Sequence, residues 1–373
     1  MARTGTQGRV ASGRHRAGET PAVPAVRDMR GGTRAYEVSF EVRTAYDFLI
    51  SASLGDPTEH DLPVEERAWL DVARATLSVK DRDALDTCFG QDVPSVFHGL
   101  ASLIVADAGV QTAADVLAAL DTAGPRGVAL AVIGDAATTG TPPALVARAV
   151  DGDAGALAEL EPSLADWQRD SIREFLANLG SSIARMRGGL DAWLVPFGQV
   201  EARIARLQVA DLSARDDARA SLDPETLIER TTGGLRFMPE PQIRRVILAP
   251  SYFGRPYNIV YQGSDWRLFC YPMADDVIEA ADGVRPPPSM IRLFRALGDP
   301  TRMRVLKLLV GRDWYLTELA TQLELSKPTM KHHLALLRAA GLVTVTEEGT
   351  LTYYSLRRER LDEAGLELHR YLV

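Results

Sequence analysis

The chain has 373 residues, 46% of them hydrophobic and 25% charged, with a net charge of −8; that length allows two or three domains and at least one sizeable core. Two cysteines far apart, Cys88 and Cys270, exclude a disulfide framework or a Cys-rich metal site and fit a reducing, cytoplasmic setting. No apolar run approaches the ~20 residues of a membrane span, and the N-terminus lacks the apolar stretch of a secretory signal.

The charge is unevenly spread. Residues 1–34 carry seven arginines against Glu19 and Asp28; residues 35–287 carry 22 Lys/Arg against 38 Asp/Glu; residues 288–373 carry 13 against 10. A basic C-terminal block therefore follows an acidic body, and nucleic acid responds to a local positive face, not to the total.

Residues 1–34 have almost no apolar periodicity and read as a disordered basic extension; Met29 could also begin the chain. Tyr36–Val42 alternates like a short strand. Helical periodicity follows over Ala45–Ser53, Glu65–Leu77, Val96–Asp107, Ala113–Leu120, Pro142–Val150, Ala154–Asn178 and Ser182–Val209, with breaks marked by Pro57, Gly90, Gly124 and Gly180. Ile243–Ala249, Asn258–Gln262 and Trp266–Tyr271 read as three strands, with Pro250, Gly254 and Gly263 as turn residues. Seven aromatics fall between Tyr252 and Tyr271. They suit either a small sheet packed on the helices or an aromatic-lined ligand pocket. Pro286-Pro287-Pro288 favours a stiff, extended segment and marks a domain boundary.

The strongest pattern lies beyond those prolines. Ser289–Ala296 is a short amphipathic helix. Asp299 is an N-cap with Pro300 at the first helical position, and Thr301–Val310 sends Val305, Leu306, Leu308 and Leu309 inward. A third helix runs from Leu316 to Leu323. After the turn Glu324-Leu325-Ser326, a fourth helix is capped by Ser326. Its Met330, Leu334 and Leu337 recur at core spacing, while Lys327, Lys331 and Arg338 lie on the opposite side. Two short helices joined by a tight turn, the second with a cationic outer face, suit entry into the DNA major groove. Leu342–Thr346 and Thr350–Tyr354 form a hairpin around Glu347-Glu348-Gly349, and a last helix spans about Arg358–Leu372.

Leu293–Arg302, Glu318–Ala320, Leu325–Leu334, Leu337–Val343 and the closing Tyr353–Leu356 together resemble the arsenical-resistance-repressor (ArsR) family over about 80 residues. The resemblance implies a winged helix-turn-helix that binds double-stranded DNA as a homodimer joined through its first and last helices, on a pseudo-palindromic operator. It maps Ser326, Lys327, Thr329, Lys331 and His332 onto DNA-contacting positions, and Arg338 extends that basic side. Glu347 and Glu348 depart from the basic wing common in the family. Some members sense metals through thiols on the helix before the turn, others through Asp and His pairs on the last helix. Here Thr317–Thr321 contains no Cys, and Asp362, Glu363, Glu367 and His369 lack the family spacing. No metal and no cofactor are expected.

Catalysis has no support. Gly127–Asp135 followed by Thr138–Thr141 lacks the glycine spacing of a phosphate loop and reads as a buried helix, and no GxSxG or HExxH is present. The expectation is thus a mainly α protein with small β portions: a helical domain at 35–285 followed by a winged helix-turn-helix at 286–373. It would act as a transcriptional repressor controlled by a small organic ligand of the helical domain. The rival is a protein-interaction or scaffold module built on the same winged helix.

Overall fold

The computed structural model describes residues 36–54, 64–89, 99–137, 141–238, 241–279, 286–348 and 351–372; the expected basic extension lies outside them. In chain order, β1 (Glu37–Phe40) precedes α1 (Thr44–Ser53), α2 (Val64–Thr76), α3 (Val79–Phe89), α4 (Ala101–Ala106), α5 (Ala113–Ala136) and α6 (Pro143–Val150). There follow α7 (Ala154–Leu160), α8 (Asp166–Ala177), α9 (Leu179–Ala214), α10 (Asp216–Ser221) and α11 (Pro224–Thr231). Next come β2 (Leu235–Arg236), β3 (Arg245–Ser251), β4 (Ile259–Gln262), β5 (Trp266–Pro272) and α12 (Asp275–Glu279). The C-terminal part holds α13 (Pro288–Leu297), α14 (Pro300–Leu309), β6 (Trp314–Tyr315), α15 (Leu316–Gln322), α16 (Lys327–Ala339), β7 (Val343–Glu348), β8 (Leu351–Leu356) and α17 (Arg358–Leu372).

Local chemistry starts many of these helices. Thr112 and Asp115 form a reciprocal capping box at α5, and Asp223 caps α11 with Pro224 at the first helical position, where its missing N–H costs nothing. The 36-residue α9 is the spine of the helical part. Its Met186, Leu190, Trp193, Phe197 and Ile204 return to one face at helical spacing and are all 0–1% exposed. Trp193 satisfies its indole N–H on the Ser51 hydroxyl at 2.9 Å.

The sheet beside this spine has the order β1-β3-β5-β4; β1 and β5 flank β3 in parallel and β4 is antiparallel to β5. Alternation divides its side chains between two cores. Ile247, Ala249, Leu268 and Cys270 join the helical core, whereas Val246, Leu248, Phe269 and Tyr271 pack with Tyr36, Ile228 and Ile243 on the other face. Both faces are covered, which explains the near-continuous apolar runs of β3 and β5. The aromatics of this segment serve those cores: Tyr252, Phe253, Tyr261, Trp266, Phe269 and Tyr271 are buried.

Asp47 of α1 pins the end of β3. Its carboxylate accepts from the Ser251 hydroxyl at 2.7 Å, the Tyr252 and Phe253 backbone N–H groups at 3.0 Å each, and Gln208 Nε2 at 2.9 Å. Burial pushes its carboxyl above the usual range, against those four hydrogen bonds.

Several boundaries differ from the sequence expectation. Ala154–Asn178 is two helices rather than one; α3, which carries no strong apolar stripe, and the eight-residue α11, which buries Leu227 and Ile228, were not expected. Pro250 lies within β3 rather than in a turn, and Gly180 lies inside α9. Glu347 and Glu348 belong to β7, opposite Thr352 and Leu351. Pro288 opens α13 rather than ending an extended linker. Gly127–Asp135 is the second half of α5. By length and composition α5 could cross a membrane, against the expectation that no run would. It is broken at Gly124, whose φ of 61° and ψ of −179° precede Pro125, and Val116, Leu117, Leu120, Val128 and Val132 are buried in the core. Neither half alone, at about 1.5 Å per residue, reaches the ~30 Å of a bilayer.

Candidate nucleic-acid interface

The winged helix is built around its own core of Leu293, Val305, Leu309, Leu319, Met330, Leu334, Leu337, Leu342 and Val343. Asp299 caps α14 by accepting the Arg302 N–H at 2.8 Å. The Arg302 side chain, almost fully buried, turns back and donates to the carbonyls of Ala296 at 2.9 Å and Arg295 at 2.7 Å. A cation there meets the negative end of α13 and fixes the angle between the two helices. Arg302 belongs to the family motif, but sequence reasoning did not reveal this role.

The turn into α16 is tight. Leu325 N–H donates to the Ala320 carbonyl at 2.9 Å, and Glu324 adopts a φ of 57°, a left-handed conformation that reverses the chain in few residues. The Ser326 hydroxyl then accepts the Thr329 N–H at 3.2 Å and lies 2.7 Å from the Thr329 hydroxyl. Met330, Leu334 and Leu337 are 0–1% exposed, so this buried stripe orients the rest of the helix.

The predicted contact residues sort cleanly. Ser326, Lys327, Thr329, Lys331 and His332 are all exposed and share the first turns of α16, which contains no acidic residue. Arg338 is set apart, half-buried in the last turn. His333 faces inward, and burial, reinforced by Arg302 and His332 against Asp299, holds its imidazole below the usual range. The wing strands β7 and β8 pair from Val343–Leu356 to Glu348–Leu351, and the wing tip at 349–350 lies outside the described residues.

Two features were not expected. The wing sheet has the order β2-β7-β8-β6, so it gains a strand on each side. On one edge Trp314 and Tyr315 pair with Tyr354 and Tyr353, and Tyr315 stacks on Tyr353 with ring centroids 4.1 Å apart. On the other edge, Leu235 and Arg236 come from the helical part. Two-residue strands show no period that a sequence scan could find.

Away from this face, α13 exposes Ile291 (42%) and Phe294 (38%), and α17 exposes Leu366 (59%), Leu368 (36%) and Leu372 (69%). On α17 the Arg360 guanidinium engages Glu363 at 3.2 Å and also Glu367. Among the described residues no three His, Cys, Asp or Glu side chains gather as a metal site.

A family model described as a helix-turn-helix domain matches residues 297–346. The transcriptional repressor SdpR of Bacillus subtilis is 36% identical over 75 residues, which are 20% of this chain and 83% of that protein. The HTH-type transcriptional regulator CmtR of Mycobacterium tuberculosis is 41% identical over 80 residues, 21% of this chain and 68% of that protein. The transcriptional activator HlyU of Vibrio cholerae is 32% identical over 78 residues, 21% of this chain and 72% of that protein.

Proposed function

Because the chain belongs, through its C-terminal domain, to the ArsR family of winged helix-turn-helix regulators, we propose that this DNA-binding transcriptional regulator is a homodimeric repressor. It reads a pseudo-palindromic operator through α16 and responds to a small organic ligand of the helical domain at 35–285. One observation carries the DNA-contact assignment: the exposed face of Ser326, Lys327, Thr329, Lys331 and His332 on a helix whose opposite face is buried. The first turns of such a helix meet base edges and phosphates, with Arg338 reaching a flanking phosphate. Repression is the simpler reading because occupying a promoter needs no further surface. The exposed apolar positions of α13 and α17 supply the dimer contact, which sets half-site spacing.

The size of the helical domain supports the input. Some 80 residues suffice for the matched relatives' similarity, yet about 250 more precede them here. A ligand shifts DNA affinity only by its differential affinity for two states, so a 100-fold effect needs about 3 kcal/mol of coupling. An organic ligand is favoured over a metal because Arg360 already occupies the acidic pair of α17.

Replacing Lys331 by Glu tests the interface. The position is exposed, so folding is retained, while an anion faces the phosphates. Mobility-shift titration should show loss of duplex binding; wild-type affinity would remove α16 from the interface. A thermal-shift screen followed by operator titration tests the sensor, which fails if no stabilising compound alters DNA binding.

A further inference from the structure

Two fastenings join the chain before Pro286 to the winged helix, and neither touches the DNA-facing residues of α16. The first is at the wing. Leu235 and Arg236 lie parallel to Val345 and Thr346, and Val345 N–H donates to the Gly234 carbonyl at 3.3 Å. Arg357, just after β8, donates Nη1 to the Gly233 carbonyl at 3.0 Å and to the Gly341 carbonyl at 3.4 Å. Gly234 has a φ of +113°, and a Cβ there would lie 2.9 Å from Arg357 Cδ and 3.0 Å from Thr344 Cγ2. The close approach of the two parts therefore requires glycine.

The second fastening is at α13. Arg292 donates Nη2 to Asp275 Oδ2 at 2.7 Å. The other oxygen of Asp275 accepts from Arg255 Nη1 at 2.9 Å, and Arg255 also engages Glu66 of α2. Signs alternate along this chain of four. Glu66, Arg255 and Asp275 are 1–4% exposed and Arg292 is 23% exposed, so solvent cannot easily replace a missing partner. Arg255 follows the segment Ser251–Phe253 that Asp47 holds. The chain thus runs from the helical core to the helix that opens the winged domain.

We infer that Arg292 and Arg357 are positioning residues for DNA binding: they lock α13 and the wing to the helical domain, so that this domain sets the geometry in which α16 and the wing meet DNA. A two-stranded hairpin alone is barely stable. Here β6 already flanks β8 on one edge; β2 on the other edge and an arginine clamp add further order, and pre-ordered elements bind with less loss of freedom. The inference rests on the DNA-binding reading of α16 and supplies the route that a ligand-responsive helical domain needs, but it holds with or without an effector.

The full-length protein tests it, with a duplex selected by the wild-type chain from a random pool. Arg292→Met and Arg357→Met should each weaken operator binding about 10-fold. The slope of log affinity against log salt should stay unchanged, because every phosphate remains neutralised as before. Arg357→Lys, which keeps a donor for the Gly233 carbonyl, should restore most of the affinity. Spin labels at Val209→Cys and Thr352→Cys report the wing directly, since both native cysteines are buried. The distance distribution should be narrow in the parent and broad with Arg357→Met. If Arg357→Met does not fold, Arg292→Met carries the affinity test. The inference is overturned if the folded variants bind within twofold of wild type, if the distances stay narrow, or if the salt slope falls by about one, which would make the arginine a phosphate contact. Lys331→Glu separates the readings: wild-type binding by that variant removes the α16 interface whatever the spin labels report.

Discussion

The Ser326 hydroxyl accepts the backbone N–H of Thr329 at 3.2 Å and lies 2.7 Å from its hydroxyl. One side chain thereby closes the first turn of α16 and orients a neighbour on the face assigned to DNA. Capping and contact can be separated by two substitutions. Ser326→Ala should cost about 1 kcal/mol in urea denaturation. Ser326→Asp keeps an acceptor for the Thr329 N–H and should retain stability, yet it sets a carboxylate against the phosphates and should lose operator affinity. Equal DNA binding by both variants would mean that Ser326 acts only as a cap.

Lys327 is exposed at the start of α16. Lys327→Ala should weaken binding to all duplexes alike and lower the salt slope by about 0.9 for each phosphate it no longer neutralises. Fluorescence anisotropy across a salt series measures it. A change in sequence preference at constant slope would instead make Lys327 a base contact.

Phe294 and Ile291 are exposed on α13, as Leu366 is on α17. At a two-fold interface each substitution acts twice. Phe294→Glu would place two carboxylates in an apolar contact and should yield a folded monomer in analytical ultracentrifugation, with operator affinity reduced to that of a half-site. Val195 of α9 is 70% exposed, and Val195→Glu should leave the assembly intact. A dimer that survives Phe294→Glu would place the interface elsewhere.

Asp135, at the end of α5, accepts the Gln262 N–H at 3.2 Å. Burial raises its carboxyl to about 6, against the Gln262 hydrogen bond and the Arg267 charge. The folded state therefore holds this proton more tightly than the unfolded chain. Its contribution to stability is fully present below about 4 and is lost as pH rises through about 6. Asp135→Asn keeps an acceptor and removes the titration. The variant should gain on wild type as pH rises from 4 to 7, by on the order of 3 kcal/mol across that range. Parallel stability curves for the two proteins would show that Asp135 is not protonated preferentially in the fold.

The winged helix was legible in the sequence because its determinants are local. Asp299 meets the N–H of Arg302 and Ser326 that of Thr329, both three residues on. Met330, Leu334 and Leu337 share a face through helical geometry alone. The strands β3, β4 and β5 showed for the same reason, as short apolar runs with turn residues nearby. Their pairing did not show, because Glu37 meets Arg245 only once the helices between them have packed, and Val246 meets Arg267 only once β4 has folded back against β5. Nothing around Asp47 distinguishes it from a surface carboxylate. Its four donors come from Gln208, Ser251, Tyr252 and Phe253, which only folding brings to α1. The same holds for Arg357 at Gly233 and for the charge chain from Glu66 to Arg292. Helix period and capping act within a few residues, so α16, the helix assigned to DNA, was legible together with its cap and its buried stripe. The contacts of β2 and Gly233 with the wing and of Asp275 with α13 were not legible, since charge pairing and strand addition depend on distance in space and leave no period along the chain.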